Sequence, residues 1–382
     1  MSYFTQEIRD FYRFFRKTPK TEKAIIFYAE HEGYYPYFEG LIETLTNKYN
    51  QTISYISSDL NDPILKKSNT KIRTFYLDKL LPFLMAAVEC KVFIMTLTDL
   101  DRFMLRRSYN PVHYVYVFHS IVSTHMMYRE GSFDNYDSIL CVGPHHIKEI
   151  CKYEKMNKLT PKKLIQTGYY RLERIYNAYQ KYSFENLSNM PKTILIAPSW
   201  GAANVLESCG ERLIELLLKN NYKVIVRPHP ETVKHFPDLI NLFASEFGAN
   251  PNFVLETSVA SDESLLESDI LISDYSGVAL EYAFGTERPV LFLDVPKKIK
   301  NKRFEELDIE PLELFLRPKI GVIVSPEKLE SVPQVISQLL AEKADYRQRI
   351  AEFRKQYIYN FGRSSEIGAQ YIINISKNKD TN

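Results

Sequence analysis

Short runs of β-branched and aromatic residues alternate with longer amphipathic stretches along this chain, in two successive series. Runs that are apolar on both faces cannot border water, so they belong in a parallel sheet covered by helices on each side. The first series predicts strands at Lys23–Glu30, Thr52–Ser57, Ile72–Leu77, Val92–Thr96, Val112–Phe118 and Ser138–Val142. Helices are expected over Tyr35–Lys48, Lys79–Glu89 and Pro144–Tyr153. After a polar stretch, Lys181–Pro191, that reads as a linker, the alternation restarts. Its strands are expected at Thr193–Ala197, Lys223–Val226, Phe253–Leu255, Ile270–Ser273, Val290–Leu293 and Gly321–Val324. The fold class is therefore α/β, two Rossmann-like domains facing a cleft. The first domain is expected over 1–185 and the second over 186–360, with a C-terminal helix in 361–382 that can pack back on the first.

Composition narrows the function classes. The net charge of +2 over 382 residues supplies no strong field for nucleic acid. Residues 1–190 carry 26 basic and 20 acidic side chains, and the rest 23 and 27, so the first half suits an anionic partner better. Only 13 glycines are present, which argues against Gly-rich phosphate loops. The four cysteines form no CxxC pair, and no run reaches the ~18 apolar residues of a membrane span. A reduced, cytoplasmic setting is expected. Phe4, Ile8, Phe11 and Phe15 have helical spacing and are interleaved with Arg9, Arg13, Arg16, Lys17 and Lys20. Such a helix either lies on an anionic membrane surface, making the protein peripheral on the inner face of the membrane, or packs on its own domain.

In doubly wound sheets ligands bind outside the carboxyl ends of the strands. The strand Lys223–Val226 runs into Arg227, Pro228, His229 and Pro230. The prolines stop the ladder and leave His229 at the strand end, where it can donate to an anionic leaving group or simply cap a turn. A second buried strand ends at Ser273 and Asp274, turns through Tyr275, Ser276 and Gly277, and opens a helix. Backbone N–H groups and the helix dipole attract anions at such a start, unless Ser276 is an ordinary cap. Gly277 permits close approach, and Glu281, one turn on, can accept from ribose hydroxyls. Ser199 and Trp200 follow another strand, and Trp200 can stack on a base or fill the core. In the first series the strand Val112–Phe118 places His119 at its carboxyl end, in a segment holding Ser120, Ser123, His125 and Arg129. An imidazole beside an acceptor hydroxyl is a general base, so this segment is the expected acceptor side. The spacing of His119 and His125 suits neither adjacent helical turns nor one strand face, and no metal is expected. Asp99-Leu-Asp101 matches a metal-binding DxD pattern, but a solvated helix start explains it as well.

Taken in order, these motifs resemble the CDP-glycerol glycerophosphotransferase family of teichoic-acid and capsule enzymes. Arg227, Pro228, His229, Ser273, Asp274, Tyr275, Ser276, Glu281 and Pro289 match its pattern. Ala197–Trp200 and Gln166–Glu173 resemble its upstream segments, and His119 falls where the family carries the His of a His-Gly pair. Ser120 stands in place of that Gly, Gly277 in place of a second Ser, Gly201 in place of an Arg, and Tyr170 in place of a Pro. The resemblance implies a glycosyltransferase-B fold and transfer of glycerol phosphate, or a related polyol phosphate, from CDP-glycerol to a glycan or lipid-linked acceptor, with release of CMP. It implies no cofactor. His119 would be the general base, and His229 would stabilise or protonate the departing CMP. Arg227 and Ser276 would hold the diphosphate charge and Glu281 the ribose. A nucleotide-sugar glycosyltransferase of the same fold is the runner-up, and a non-catalytic polymer-binding module a more distant alternative.

Overall fold

A computed structural model describes residues 3–67, 69–103, 105–182, 191–201, 203–258 and 261–377. Its first sheet holds strands β1 (Ile25–Ala29), β2 (Ile53–Ser57), β3 (Ile72–Tyr76), β4 (Val92–Met95), β5 (His113–Val117), β6 (Ser138–Cys141) and β7 (Lys163–Gln166). The second holds β8 (Thr193–Ile196), β9 (Lys223–Val226), β10 (Phe253–Leu255), β11 (Ile270–Ser273), β12 (Val290–Leu293) and β13 (Gly321–Val324). Every pairing is parallel, in the orders 3-2-1-4-5-6-7 and 10-9-8-11-12-13. Strand order therefore reverses between β1 and β4 in one sheet, and between β8 and β11 in the other. Those reversals open the crevices in which such sheets bind ligands.

The helices used below are α1 (Tyr3–Tyr12), α2 (Tyr35–Glu43), α3 (Pro144–Met156), α4 (Tyr170–Lys181), α5 (Val205–Lys219), α6 (Pro230–His235), α7 (Gly277–Thr286), α8 (Leu312–Ile320), α9 (Lys343–Tyr357) and α10 (Ser364–Lys377). Local chemistry sets their ends. Asn204 caps α5, its Oδ1 accepting from the N–H groups of Leu206 and Glu207 at 2.8 and 3.3 Å. Glu207 in turn accepts from the Ala203 N–H just before the cap and from the Asn204 side-chain amide. Inner strands such as β1 and β11 are buried at every position, as continuous apolar runs require.

The chain separates into two compact units. The first comprises Met1–His119, Tyr128–Arg171 and Ile358–Asn382, and the second Ser120–Met127 and Leu172–Tyr357. The sequence expectation of one boundary near 185 gives way to an interleaved division. The chain leaves the first unit at Arg171, and the expected linker falls mostly on 183–190, outside the described residues. The C-terminal helix α10 belongs to the first unit, where Ala369, Ile372 and Ile373 join the core formed by Phe27, Phe38, Leu41, Ile94 and Val115.

At the N-terminus, α1 lies on its own unit. Glu7 accepts from the backbone N–H groups of Asp78 and Leu80, both at 2.7 Å, and Asp10 accepts from that of Tyr76 at 3.0 Å. In the turn that follows, Phe14 is buried edge-on against Phe75. Phe4, Ile8 and Tyr12 are exposed, as are Arg9, Arg16 and Lys17, whereas Arg13 turns back to pair with Asp10 at 3.1 Å with its guanidinium over the Phe75 ring. Among the described residues, no helix is long and apolar enough to cross a membrane.

Candidate functional site

In the second unit, the order reversal sets the ends of β8 and β11 side by side, and Asp274 joins them. Its carboxylate, 1% exposed, accepts from the Ser199 N–H at 2.8 Å, the Ser199 hydroxyl at 3.0 Å and the Ser276 N–H at 3.1 Å. Burial raises the acid above its ordinary pKa despite these donors. Ser273 Oγ donates to the Ala197 carbonyl at 2.7 Å, a further tie between the two strand ends. Ser276 occupies the N-cap of α7, yet its hydroxyl makes no cap bond. The ordinary-cap alternative is therefore not the one adopted, and the hydroxyl stands at the positive end of the helix. Glu281 is buried one turn further on.

The far end of α7 is anchored firmly. Glu287, in left-handed conformation, bonds Arg354 of α9 at 2.7 Å and Arg347 at 2.9 Å, while Arg354 also donates to the Phe284 carbonyl. Tyr282 donates to the Ser268 carbonyl at 2.9 Å. These bonds hold rigid the helix whose start faces the crevice.

His229 caps α6, its Nδ1 accepting from the Glu231 N–H at 3.1 Å. In the neutral ring that bond puts the proton on Nε2. The Trp200 ring lies 6.0 Å from that of His229. Arg227, by contrast, points into the unit: it is 4% exposed, with Nη1 3.1 Å from Ser264 Oγ and Nε 4.0 Å from Glu256. The cations beside Trp200 are instead Lys298 and Lys300, with Nζ 4.3 and 5.4 Å from the ring centre. Neither lysine was singled out from sequence; the available signal was a lysine-rich loop directly after strand β12.

The segment Ser120–Met127, expected on the acceptor side, packs within the second unit. Ser123 donates through its N–H and hydroxyl to Glu313 at 2.9 and 2.8 Å, and accepts from the Leu312 N–H. His125 Nε2 lies 2.9 Å from the Ile309 carbonyl, against the ring of Phe304. Both residues thus tie this segment to α8 and the chain before it. Ser120 lies at the start of α7, where a Cβ built on Gly277 would overlap its hydroxyl. Two departures from the resembled pattern, Ser for Gly at 120 and Gly for Ser at 277, are therefore one exchange of volume across a single contact.

In the first unit, His119 follows β5 and is half-buried. Tyr34, Tyr128 and Tyr37 surround it edge-on, with ring centres 5.5, 6.0 and 6.2 Å away. Tyr37 in turn lies 6.1 Å from Tyr169 and beneath the Arg171 guanidinium at 5.3 Å. The tyrosines after β1 were not singled out; the signal was an aromatic-rich run, His31–Phe38, directly after a strand. Arg129 is exposed in this unit. Asp99 and Asp101 occupy a loop in left-handed conformation rather than a helix start, and Asp101 accepts from the Arg107 N–H. Among the described residues, no group of three or more His, Cys, Asp or Glu could hold a metal ion.

Residues 10–373 match the sequence model of the family described as CDP-glycerol:poly(glycerophosphate) glycerophosphotransferase. No curated protein matches the chain. Among solved structures, a Listeria monocytogenes protein assigned as a UDP-N-acetylglucosamine 2-epimerase aligns at TM-score 0.61 and 14% identity, over 94% of this chain and 98% of that one. The Methanocaldococcus jannaschii UDP-GlcNAc 2-epimerase, in complex with UDP-GlcNAc and UDP, aligns at 0.57 and 13%, over 93% and 99%. WaaG, a glycosyltransferase of lipopolysaccharide biosynthesis, aligns at 0.51 and 13%, over 91% and 99%. At these identities the likeness is one of fold, the glycosyltransferase-B type built from two Rossmann-like units.

Two expectations follow from the second unit. Asp274→Ala leaves the N–H groups of Ser199 and Ser276 without their acceptor and should cost about 2–5 kcal/mol. Asp274→Asn keeps an oxygen for both N–H groups and an amide for the Ser199 hydroxyl, and should cost less than about 1 kcal/mol. Urea denaturation of the two variants decides, and equal losses would rule out the bridging role. Gly277→Ser should cost about 1–2 kcal/mol by overpacking, and Ser120→Gly in the same chain should recover most of it. Additive losses in that double-mutant cycle would show that the two positions do not share space.

Proposed function

The chain belongs to the CDP-glycerol:poly(glycerophosphate) glycerophosphotransferase family, and from that membership we propose that it moves glycerol phosphate, or a related polyol phosphate, from CDP-glycerol to an acceptor hydroxyl, releasing CMP. The acceptor is a cell-surface glycan or a lipid-linked precursor of a capsule or teichoic-acid-like polymer. The observation that carries this reading is the site at the β8/β11 reversal. A rigid helix start, the unspent Ser276 hydroxyl, the Nε2 donor of His229 and the Trp200 ring all stand at strand ends. An anion with an aromatic base attached suits that set of groups.

In this mechanism the acceptor oxygen attacks the phosphorus that bears the glycerol, and the bond from that phosphorus to the CMP oxygen breaks. His119 takes the acceptor's proton as the new P–O bond forms. His229 hydrogen-bonds or protonates the CMP phosphate as it departs. The α7 start and Ser276 hold diphosphate charge through the transition state, the contribution on which phosphoryl transfer chiefly depends. Glu281 takes the ribose hydroxyls. Buried as it is, Arg227 serves to hold the β9 end in shape. No metal or cofactor takes part.

Incubation with CDP-glycerol or with UDP-sugars, following CMP or UDP release, tests the donor. UDP release without CMP release would replace this reading with that of a sugar transferase. His119→Ala should leave CDP-glycerol affinity nearly unchanged and slow turnover about 10²–10⁴-fold. His229→Ala should slow turnover similarly and also weaken donor binding. Parental turnover in His119→Ala would place the base elsewhere.

The outward face of α1 supports peripheral attachment to an anionic membrane, because it combines exposed Phe4, Ile8 and Tyr12 with exposed Arg9, Arg16 and Lys17. The triple variant Phe4→Ser/Ile8→Ser/Tyr12→Ser should lose most of its sedimentation with phosphatidylglycerol vesicles. Undiminished sedimentation would refute the role of that face.

A further inference from the structure

Resting on the donor reading above, we infer that Lys298 and Lys300, held over Trp200 beside His229, bind the donor's diphosphate together with the α7 start. A diphosphate brings two or more negative charges, whereas a helix start supplies about half a positive charge. The guanidinium expected to make up the difference, that of Arg227, is turned inward against Ser264 and Glu256. The loop after β12 supplies two cations instead, at 4.3 and 5.4 Å from the ring of Trp200.

That loop is fastened on both sides of the lysines. Before them, Asp294 accepts from the Tyr275 hydroxyl at 3.1 Å and pairs with Arg317 at 3.2 Å. After them, the Lys300 N–H donates to the Met126 carbonyl at 3.1 Å, and Asn301 donates to that of His125. Two long cationic side chains are thereby kept near one another over an apolar ring. A cation–π contact offsets part of the cost of that placement, and a bound polyanion would relieve the rest.

The protonation balance agrees. Burial, and then the charge of Lys300, pull Lys298 down to about 7, while Asp274 and Glu231 pull the other way. The His229 ring lies on Trp200 as well, 6.0 Å from it. Lys298 therefore exchanges its proton near neutral pH. A bound diphosphate restores the proton, so binding takes up protons and weakens as pH rises above 7.

Trp200 is the chain's single tryptophan, so its fluorescence reports the site directly. The probes are CDP, CMP and inorganic pyrophosphate at pH 7.5, with thermal melts to confirm that each variant folds. Lys298→Met and Lys300→Met should each weaken CDP and pyrophosphate about ten- to a hundredfold and CMP much less. Lys302→Met, the same charge change in the same loop, should leave all three affinities at the parental value. Lys298→Arg should retain CDP but lose the proton uptake that calorimetry in buffers of different ionisation heat detects in the parent. Parental CDP and pyrophosphate affinity in both Met variants overturns the inference while the donor reading stands. Lysine-dependent pyrophosphate binding without CDP binding supports the lysines and rejects the nucleotide donor. A parent protein that binds neither overturns both.

Discussion

Asp274 lies where strand order reverses in the second sheet, and its carboxylate is the joint between the two strand ends that flank the crevice. Without it, the turn after β8 and the turn before α7 would each carry buried N–H groups that water cannot reach. The crevice groups are placed relative to that joint: Trp200 follows directly from Ser199, and Ser276 begins the helix whose dipole faces outward. A buried ionisable acid is a costly connector, which burial shows by raising its pKa. It is tolerated because three donors converge on two oxygens.

The contact between Ser120 and Gly277 shows how a pattern can change without its architecture changing. A side chain is present at one position and absent at the other, so the backbones keep their approach. Such a pair looks like two unrelated departures in sequence, because 157 positions separate them. Only the fold shows that they compete for the same space.

The strands were legible because buried parallel strands are written as unbroken apolar runs, and β1, β4 and β12 are of that kind. The strand β7, Lys-Leu-Ile-Gln, escaped notice: it lies at a sheet edge, half-covered, with a lysine at its start. Strand ends carrying His119, His229 and the Ser273–Glu281 turn were equally legible, since prolines, serines and glycine mark where a ladder stops. Hidden from sequence was the destination of side chains that look like reagents. Arg227 and Ser123 carry the groups expected of binding residues, yet their partners are Ser264, Glu256, Glu313 and Leu312, each at least 29 positions away. Lys298 and Lys300 drew no attention, because lysines in a loop ordinarily face water.

The first unit is written in three pieces, and the last of them contributes Ala369, Ile372 and Ile373 to its core. On the ribosome, domains ordinarily fold from the N-terminus as they emerge. Here the strands β1 to β7 are complete long before residues 364–377 are made, and they wait with part of their core uncovered. The second unit, apart from the segment 120–127, is continuous over 172–357 and can close first. Synthesis thus passes through a stage in which the later-encoded half is finished and the earlier one is not, and a chain truncated before α10 would leave apolar surface open to aggregation.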